Sequence, residues 1–325
     1  MDLEPYISVI IPTYNRAQLM WKTLDSFLNQ SYSEDLYEII IANNNSSDTT
    51  EEVASRYVRD YPGRVRYLQE CRQGVHYARN SAARISKGDL LYFTDDDMIA
   101  DSNLLSEIVK IFLLNSSVAS ATGRVLPKWE IEPPDWVLKL CYNGLLSLND
   151  PVDDLIISPR DCNVYSCHQA IRRDVFFQSG GFNPENTAGE WIGDGETGLN
   201  IKIKELGYKF GFNGASIIYH IIPAQRMTQA YLNRRLANQG NCDSYTEYRK
   251  NQFSKQRLIK RIVGHFLRLV SEEIRYLVDF TLRKVFWHIH RARVFYHLNR
   301  IRYDWRLATD GNWRTLVLKR DWLSE

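Results

Sequence analysis

Short apolar runs rich in β-branched residues alternate with segments of helical periodicity along the first hundred residues. The apolar runs lie at residues 7–12, 37–42, 65–68 and 90–93. Between them, apolar side chains recur at helical spacing over residues 20–28, and further helices are predicted after Asp48 and over residues 75–86. This alternation is typical of βαβ units and predicts an α/β fold with a mainly parallel sheet flanked by helices.

Polar clusters follow three of the four predicted strands. These clusters are Thr13-Tyr14-Asn15, residues 43–48 and Asp95-Asp96-Asp97. Because ligands of such sheets bind at the carboxyl ends of the strands, we expect the binding site there. The chain has no GxGxxG after the first strand and no GxxxxGK[ST] at any position, which disfavours a dinucleotide-dependent dehydrogenase and a P-loop enzyme.

The acidic triplet at residues 95–97 requires a compensating charge. Neighbouring carboxylates repel one another and raise each other's pKa unless a cation lies close by. Mg²⁺ and Mn²⁺ suit such oxygen ligands, and they are commonly held by one or two carboxylates together with substrate phosphates. A solvated acidic turn is the alternative, but the position at the end of a buried strand favours a metal site.

The last 75 residues differ in charge from the rest of the chain. The 325 residues carry a net charge of +2, of which residues 251–325 contribute +9, so the preceding 250 residues carry −7. Apolar side chains recur at helical spacing from Ile259 to Val278, with Arg and Lys on the opposite face, which predicts a basic amphipathic helix. Such a helix either lies on an anionic membrane or forms a cap that packs on the protein or on a second copy. We see no nucleic-acid-binding motif, and we expect no nucleic acid partner.

These patterns predict two parts. Residues 1–222 form the α/β domain, with a nucleotide half over about 1–100 and an acceptor half over about 101–222, and residues 223–325 form the helical extension. Because residues 1–5 lack the features of a signal peptide and no apolar run is long enough to span a bilayer, we expect a cytoplasmic protein, peripheral at the inner face of the membrane if the extension binds lipid.

Six motifs in the same order resemble those of the family 2 glycosyltransferases, which have the GT-A fold, invert the anomeric centre and use nucleotide-sugar donors. They cover residues 5–222. They are residues 8–16 at the first strand, the Asn-rich turn at 43–48, the "G…ARN…KGD" series over 74–89, the triplet at 95–97 in place of the family's DxD motif, the "RRxVF" segment at 172–176 and the "GGF" segment at 180–182.

The resemblance implies roles for individual residues. Thr13, Tyr14 and Asn44 would contact the base, Arg79 would help to hold it, and Asp95 would lie near the ribose. The expected nucleotide-binding residues are Pro12, Thr13, Tyr14, Asn15, Arg16, Asn43, Asn44, Arg79, Asp95 and Asp96. The expected ligands of Mn²⁺ or Mg²⁺ are Asp96, Asp97 and His220. The family usually has an acidic residue where this chain has Asn43 and Asn44, so the base stays open, with a UDP-sugar as the first expectation.

A second carboxylate pair offers a general base for the acceptor hydroxyl. Matching the "IGD" sequence to the family favours Asp194, whereas counting back from Tyr208 favours Glu196, and both stay open. Acidic residues that only complement a helix N-terminus are the structural alternative. Three arginines follow, Arg226, Arg234 and Arg235, and could contact phosphate, but we expect at least two of them to lie on a solvated helix face instead.

The sequence therefore predicts a metal-dependent, inverting glycosyltransferase. It would move a sugar from a nucleotide-diphosphate sugar to a hydroxyl of a glycan or lipid-linked acceptor, of the kind used in cell-surface polysaccharide synthesis. The alternatives are a sugar nucleotidyltransferase, disfavoured because the loop after the first strand lacks a Gly-rich, basic phosphate motif, and a non-catalytic glycan-binding protein, disfavoured by the intact acidic triplet.

Overall fold

The computed structural model describes residues 4–184, 186–187 and 190–324 of the chain. Eleven strands are assigned in this part. In chain order they are β1 (Ile7–Thr13), β2 (Tyr37–Asn43), β3 (Val65–Gln69), β4 (Leu90–Thr94), β5 (Met98–Ala100), β6 (Val118–Trp129), β7 (Leu155–Ser158), β8 (His168–Arg172), β9 (Asn186–Thr187), β10 (Glu190–Trp191) and β11 (Lys209–Ile222).

Nine of these strands form one sheet with the order β3-β2-β1-β4-β8-β6-β11-β5, and β7 pairs with β11 beside this path. The first four positions in this order are parallel, with Thr13 opposite Asn43 and Ile10 opposite Phe93. The second half is mixed: β8 runs antiparallel to β4 and β6, and β11 is parallel to β6 but antiparallel to β5 and β7. The four strands expected from the apolar runs are confirmed.

Burial on both faces explains why the central strands are continuous apolar runs. Every residue of β1, β2 and β4 is buried, because helices cover the sheet on both sides. The helices are α1 (Met20–Leu28), α2 (Thr50–Asp60), α3 (Val75–Ile85), α4 (Leu104–Leu114), α5 (Asp135–Cys141), α6 (Arg173–Gln178), α7 (Gly195–Glu205), α8 (Gln229–Asn251), α9 (Lys255–Thr281), α10 (Trp287–Thr309) and α11 (Gly311–Leu318).

Helices α8 to α11 form the C-terminal region, in which α10 packs against both α8 and α9. Partly buried ion pairs join these helices: Arg300 donates to Glu247 at 2.6 Å, and Arg261 donates to Asp304 at 2.9 Å. The chain then returns to the sheet domain, where the backbone N–H of Trp322 donates to the carbonyl of Gly180 at 3.0 Å. The predicted α/β fold with a C-terminal helical region is thus confirmed.

Helix α9 is amphipathic, but its apolar face points away from the rest of the protein. Its buried residues are Leu258, His265 and Glu272. Its apolar stripe faces outward, with Phe266 55% and Leu267 63% exposed. None of the described helices is long and apolar enough to cross a bilayer.

Candidate active site

A cavity of about 530 Å³ opens at the carboxyl ends of β1, β2 and β4. Its position agrees with the rule that ligands of parallel sheets bind beyond the strand ends. It is lined by Pro12, Thr13, Tyr14, Arg16, Asn44, Gln73, Gly74, Val75, Arg79, Asp95, Asp96, Asp97, Ser147, Ser166, Glu196, Arg226 and Arg235. Of the residues expected at the site, Asn15, Asn43, Asp194 and His220 do not line it.

The end of β1 carries the residues that face the acidic triplet. The Thr13 hydroxyl donates to Asp96 Oδ2 at 2.7 Å. Tyr14, by contrast, is 46% exposed at the cavity rim, where its ring is free to stack on a flat ligand. Asn15 has a positive φ of 51°, and its side-chain oxygen accepts from the backbone N–H of Ser47 at 2.8 Å, so it joins two loops rather than facing the cavity.

The two asparagines after β2 support the neighbouring loops. Asn44 Nδ2 donates to the carbonyl of Arg72 at 2.8 Å, and Asn44 Oδ1 accepts from the N–H of Gly74 at 2.7 Å. Asn43 accepts from the N–H of Ser46 and donates to the hydroxyl of Tyr67. Because these amide groups are engaged with the protein, Asn43 and Asn44 shape this end of the cavity through the loops that they hold.

A buried arginine fixes the first carboxylate of the triplet. Arg79, on α3, forms an ion pair with Asp95 through Nη2. Its Nη1 lies 3.3 Å from the ring nitrogen Nδ1 of His76, and burial lowers the pKa of His76 to about 3, so that this imidazole is neutral. Arg79 is itself almost fully buried, so Asp95 is held at one position beside the cavity.

The protonation of Asp96, the middle carboxyl group of the triplet, is strongly affected by its surroundings. It is 8% exposed. Burial, followed by the charge of Asp97, raises the pKa of Asp96 to about 7, although Arg16 and the hydrogen bond from Thr13 oppose the shift. Loss of hydration is thus the main reason why Asp96 holds its proton, and the negative charge of Asp97 adds to it.

The last carboxylate of the triplet, Asp97, lies beside His220, and Arg226 contacts both of them. Arg226 Nη2 donates to Asp97 Oδ2 at 2.7 Å, and Arg226 Nη1 donates to Nε2 of His220. The Nδ1 of His220 lies 2.9 Å from the carbonyl of Leu146, which places the proton on Nδ1 and the lone pair on Nε2. Nε2 lies 3.9 Å from Asp97 Oδ1. His220 thus has the tautomer of a metal-binding histidine.

These donors fit a hard divalent cation in an open site. Within the part of the chain that the structure describes, no three His, Cys, Asp or Glu side chains converge into a closed metal site. Mg²⁺ and Mn²⁺ need no such set, because water and substrate phosphates usually complete their coordination. The raised pKa of Asp96 and the guanidinium of Arg226 between Asp97 and His220 both indicate that this position favours positive charge.

We expect the stability of the metal-free protein to depend on pH through Asp96. The pKa of Asp96 is about 4 in the unfolded chain and about 7 in the folded protein, so the folded state binds this proton more tightly. The stability that the bound proton contributes is fully present below about pH 4 and is lost as the pH rises through about 7. In the presence of a chelator, the melting temperature of the wild type relative to an Asp96→Asn variant should fall between about pH 5 and pH 8. A difference that stays constant over this range would contradict a protonated Asp96.

The structure separates the two candidate bases. Glu196 lies in the first turn of α7, lines the cavity and accepts from the hydroxyl of Ser166 at 3.3 Å. Asp194 precedes the same helix but is buried on its other side, where it accepts from Asn183 at 2.8 Å and from the hydroxyl of Thr246 at 2.7 Å. Burial raises the pKa of Asp194, and these two hydrogen bonds oppose the shift. Asp194 therefore connects α7 to α8.

A glycine makes the turn between Asp194 and Glu196 possible. Gly195 has a φ of +52°, and a Cβ at this position would lie 2.4 Å from Nε2 of His76. The close approach brings the start of α7 against α3, and hence Glu196 beside the cavity that Arg79 and Asp95 also line.

Two of the three arginines that the sequence offered as phosphate contacts reach the cavity. Arg226 and Arg235 both line the cavity, so the expectation of a mostly solvated basic face was wrong for them, whereas Arg234 is exposed. Arg226 sits in a short turn after β11, and Arg235 on α8 is anchored by hydrogen bonds to the carbonyls of Leu145 and Gly144. Ser147 and Ser166 also line the cavity without any recognisable motif; no pattern in the sequence distinguishes them from other loop serines.

Comparison with known proteins finds a family and several relatives by sequence. The family described as "Glycosyl transferase family 2" matches residues 8–177, slightly more than half of the chain. The uncharacterised glycosyltransferase YfnE of Bacillus subtilis is 38% identical over 103 residues, which are 32% of this chain and 26% of that protein. The GalNAc(5)-diNAcBac-PP-undecaprenol beta-1,3-glucosyltransferase of Campylobacter jejuni is 34% identical over 108 residues, 33% of this chain and 34% of the relative. The matches thus span about a quarter to a third of these relatives.

A solved structure resembles nearly the whole chain. The mannosyltransferase PcManGT from Pyrobaculum calidifontis, in complex with GDP-Man and Mn²⁺, aligns with a TM-score of 0.56 and 19% identity, covering 98% of this chain and 79% of that one. At this level of identity the likeness shows the fold, which is the GT-A fold expected from the motifs.

Proposed function

This chain belongs to the family 2 glycosyltransferases, and from this premise we propose that it is an inverting enzyme that moves a sugar from a nucleotide-diphosphate sugar to a hydroxyl group of a glycan or lipid-linked acceptor. The observation that carries the proposal is one cavity that combines the triplet Asp95-Asp96-Asp97, four arginines and the carboxylate of Glu196.

The donor would bind along the strand ends. Tyr14 offers a ring to the base at the rim, and the loops held by Asn43 and Asn44 form the adjoining wall. Asp95, oriented by Arg79, is positioned to accept from ribose hydroxyls, while Arg16, Arg226 and Arg235 supply positive charge for the diphosphate. A UDP-sugar is the first donor to test, and a GDP-sugar is the second because PcManGT holds GDP-Man.

The chemistry is a single displacement. Glu196 accepts the proton of the acceptor hydroxyl while that oxygen attacks the anomeric carbon, and the sugar–phosphate bond breaks with its electron pair going to the diphosphate. A divalent cation, Mn²⁺ or Mg²⁺, held by Asp96 and Asp97 with His220 beside them, would stabilise the charge that develops on the leaving diphosphate. Arg226, which contacts Asp97 and His220 and lines the cavity, would add a second positive charge beside the leaving diphosphate.

A screen of nucleoside diphosphates tests this function directly. The melting temperature should rise with one nucleotide, and more so with Mn²⁺ present, because a ligand that binds only the folded state stabilises it by about 2.7 kcal/mol at a hundred times its dissociation constant. Hydrolysis or transfer of the matching nucleotide sugar should follow. If no nucleotide shifts the melting temperature and no nucleotide sugar is consumed, the glycan-binding alternative is supported instead.

We also propose that α9 rests on an anionic membrane surface, which suits a lipid-linked acceptor and a role in cell-surface polysaccharide synthesis. The outward apolar stripe of α9 exposes large apolar side chains. Contiguous exposed apolar patches of this kind are typical of surfaces that bind a partner or a membrane. Exposed Lys260, Arg268 and Arg275 lie along one edge of that stripe. In a dimer formed through this stripe, the second copy would bring the same positive edge and the two edges would repel each other. An anionic lipid surface has the opposite charge and complements it. The C. jejuni relative is named for an undecaprenol-linked substrate.

Removing the apolar stripe should abolish vesicle binding. The double variant Phe266→Gln/Ile274→Gln should bind vesicles that contain anionic lipid at least about tenfold more weakly than the wild type, because each lost apolar contact is worth about 1.5–3 kcal/mol when fully buried. A matched control is Leu113→Gln/Leu114→Gln on α4, where two equally exposed leucines are replaced. Equal cosedimentation of the wild type and both double variants would contradict the membrane surface, and a change from dimer to monomer would favour self-association.

A further inference from the structure

A second, smaller cavity adjoins the first on the other side of Glu196. It has a volume of about 260 Å³ and lies between the loop after β7, the start of α7 and the first half of α8. Its lining residues are Gly144, Leu145, Asp161, Asn163, Val164, Tyr165, Glu196, Thr197, Asn200, Arg235 and Gln239. Among the described residues, Glu196 and Arg235 alone line both cavities.

The walls of this cavity are held by buried polar contacts. Asn200 Nδ2 donates to the carbonyl of Val164 at 3.1 Å, and Asn200 Oδ1 accepts from Gln169 at 2.9 Å, so the loop after β7 is tied to α7. Arg235 Nε and Nη2 each donate, at 3.2 Å, to carbonyls of residues 145 and 144. The cavity is therefore a built part of the fold.

A glycine leaves room for the one aromatic ring in the wall. A Cβ at Gly144 would lie 2.6 Å from the hydroxyl oxygen of Tyr165. The ring of Tyr165 is only partly exposed, and burial raises the pKa of its hydroxyl to about 12, which leaves it a neutral hydrogen-bonding group. A partly exposed tyrosine offers both an apolar face and a polar tip to a bound molecule.

The charges of the lining indicate the kind of molecule that fits. Two carboxylates, Asp161 and Glu196, face this space against one cation, Arg235, whose Nε and Nη2 are already engaged. A phosphate group would be repelled by the carboxylates. Sugar hydroxyls, in contrast, can donate to carboxylates and to the amide oxygens of Asn163 and Gln239.

We propose that this second cavity, here called the acceptor cavity, binds the terminal sugar of the acceptor, an uncharged residue rich in hydroxyl groups. This inference rests on the proposed glycosyltransferase function and adds that the enzyme extends an existing glycan rather than glycosylating a lipid phosphate. The acceptor hydroxyl lies at the junction of the two cavities; its oxygen forms the new bond to the anomeric carbon, its proton passes to Glu196, and the diphosphate leaves with the electron pair of the broken bond.

The first experiment measures which acceptor class binds. With Mn²⁺ and the nucleoside diphosphate found by the thermal screen, saturation-transfer NMR is recorded on a panel of neutral p-nitrophenyl hexosides and N-acetylhexosaminides, and on undecaprenyl phosphate in detergent as an acceptor without a sugar. Transfer to each of these acceptors is then assayed with Mn²⁺ and the matching nucleotide-diphosphate sugar. We expect at least one glycoside to bind and to be glycosylated. Binding of no glycoside, or transfer to undecaprenyl phosphate alone, overturns the proposal.

The second experiment places the bound sugar. Asp161→Ala and Gln239→Ala should each raise the KM of the best glycoside about three- to tenfold, the effect of one lost hydrogen bond, with donor affinity unchanged. Asp153→Ala and Gln256→Ala replace exposed residues of the same types outside both cavities and should leave both constants unchanged. Gly144→Ala, which displaces the Tyr165 hydroxyl, should also raise the acceptor KM.

The outcomes separate this inference from the function on which it rests. If no nucleotide sugar binds, the proposed function fails. If the donor binds and sugar is transferred, but Asp161→Ala, Gln239→Ala and Gly144→Ala all keep the wild-type acceptor KM, the enzyme is a glycosyltransferase whose acceptor binds elsewhere, and the acceptor cavity is wrong.

Discussion

Glu196→Gln is expected to lower kcat by about 10²- to 10⁴-fold while donor affinity stays within a few-fold of the wild type. General-base catalysis typically contributes this factor, and the amide keeps the shape of the side chain while it loses the ability to take up the proton. Glu196 faces the same cavity as the acidic triplet, and it also borders the second cavity. The measurements are steady-state kinetics with the identified donor and acceptor, and donor binding by calorimetry.

Asp194→Asn is the natural comparison, because it makes the same chemical change two residues away. Asp194 is buried, bonded to Asn183 and Thr246, and remote from the triplet's cavity. Its substitution should lower the melting temperature and leave kcat of the folded enzyme within a few-fold of the wild type. The opposite pattern, a large loss of kcat in Asp194→Asn and none in Glu196→Gln, would transfer the base to Asp194. If both variants keep full kcat, the base lies outside this turn, and Asp161 becomes the next candidate.

Asp97→Asn is expected to reduce turnover by more than about 10²-fold and to remove the metal-dependent part of nucleotide binding. The amide keeps an oxygen that can accept from Arg226, but it lacks the charge that would hold a divalent cation beside the diphosphate. In a thermal-shift assay, the nucleoside diphosphate should therefore stabilise the variant equally with and without Mn²⁺, whereas the wild type should respond to the metal.

A matched control for this variant is Asp101→Asn. Asp101 lies four residues further along the chain, where its carboxylate accepts from the backbone N–H of Asn103 outside the cavity. It should keep the wild-type response to Mn²⁺. If Asp97→Asn turns over at the wild-type rate in the presence of a chelator, the metal role of the triplet is wrong.

The first half of the fold, with strands β1 to β4, was accessible from local patterns. The strands β1, β2 and β4 are continuous apolar runs because both faces of the parallel sheet are covered, and each of these three runs ends at a polar cluster that the sequence displays directly. The cavity then follows from topology, since parallel strands bring the residues after Thr13, Asn43 and Thr94 to one edge. Long-range pairing in the second half of the sheet left no comparable signal, because β6, β8 and β11 pair with strands far away in sequence.

The sequence by itself determined the class of the sheet, the acidic triplet at its edge, the family motifs and the amphipathic character of α9. Only the tertiary structure decided which of Asp194 and Glu196 faces the cavity, because neighbouring positions at the start of a helix point in different directions and Gly195 turns the chain between them. It also brought Arg226 and Arg235 to the triplet and turned the apolar stripe of α9 outward. These outcomes depend on how separate elements pack, and periodicity within one segment contains no information about what lies against it.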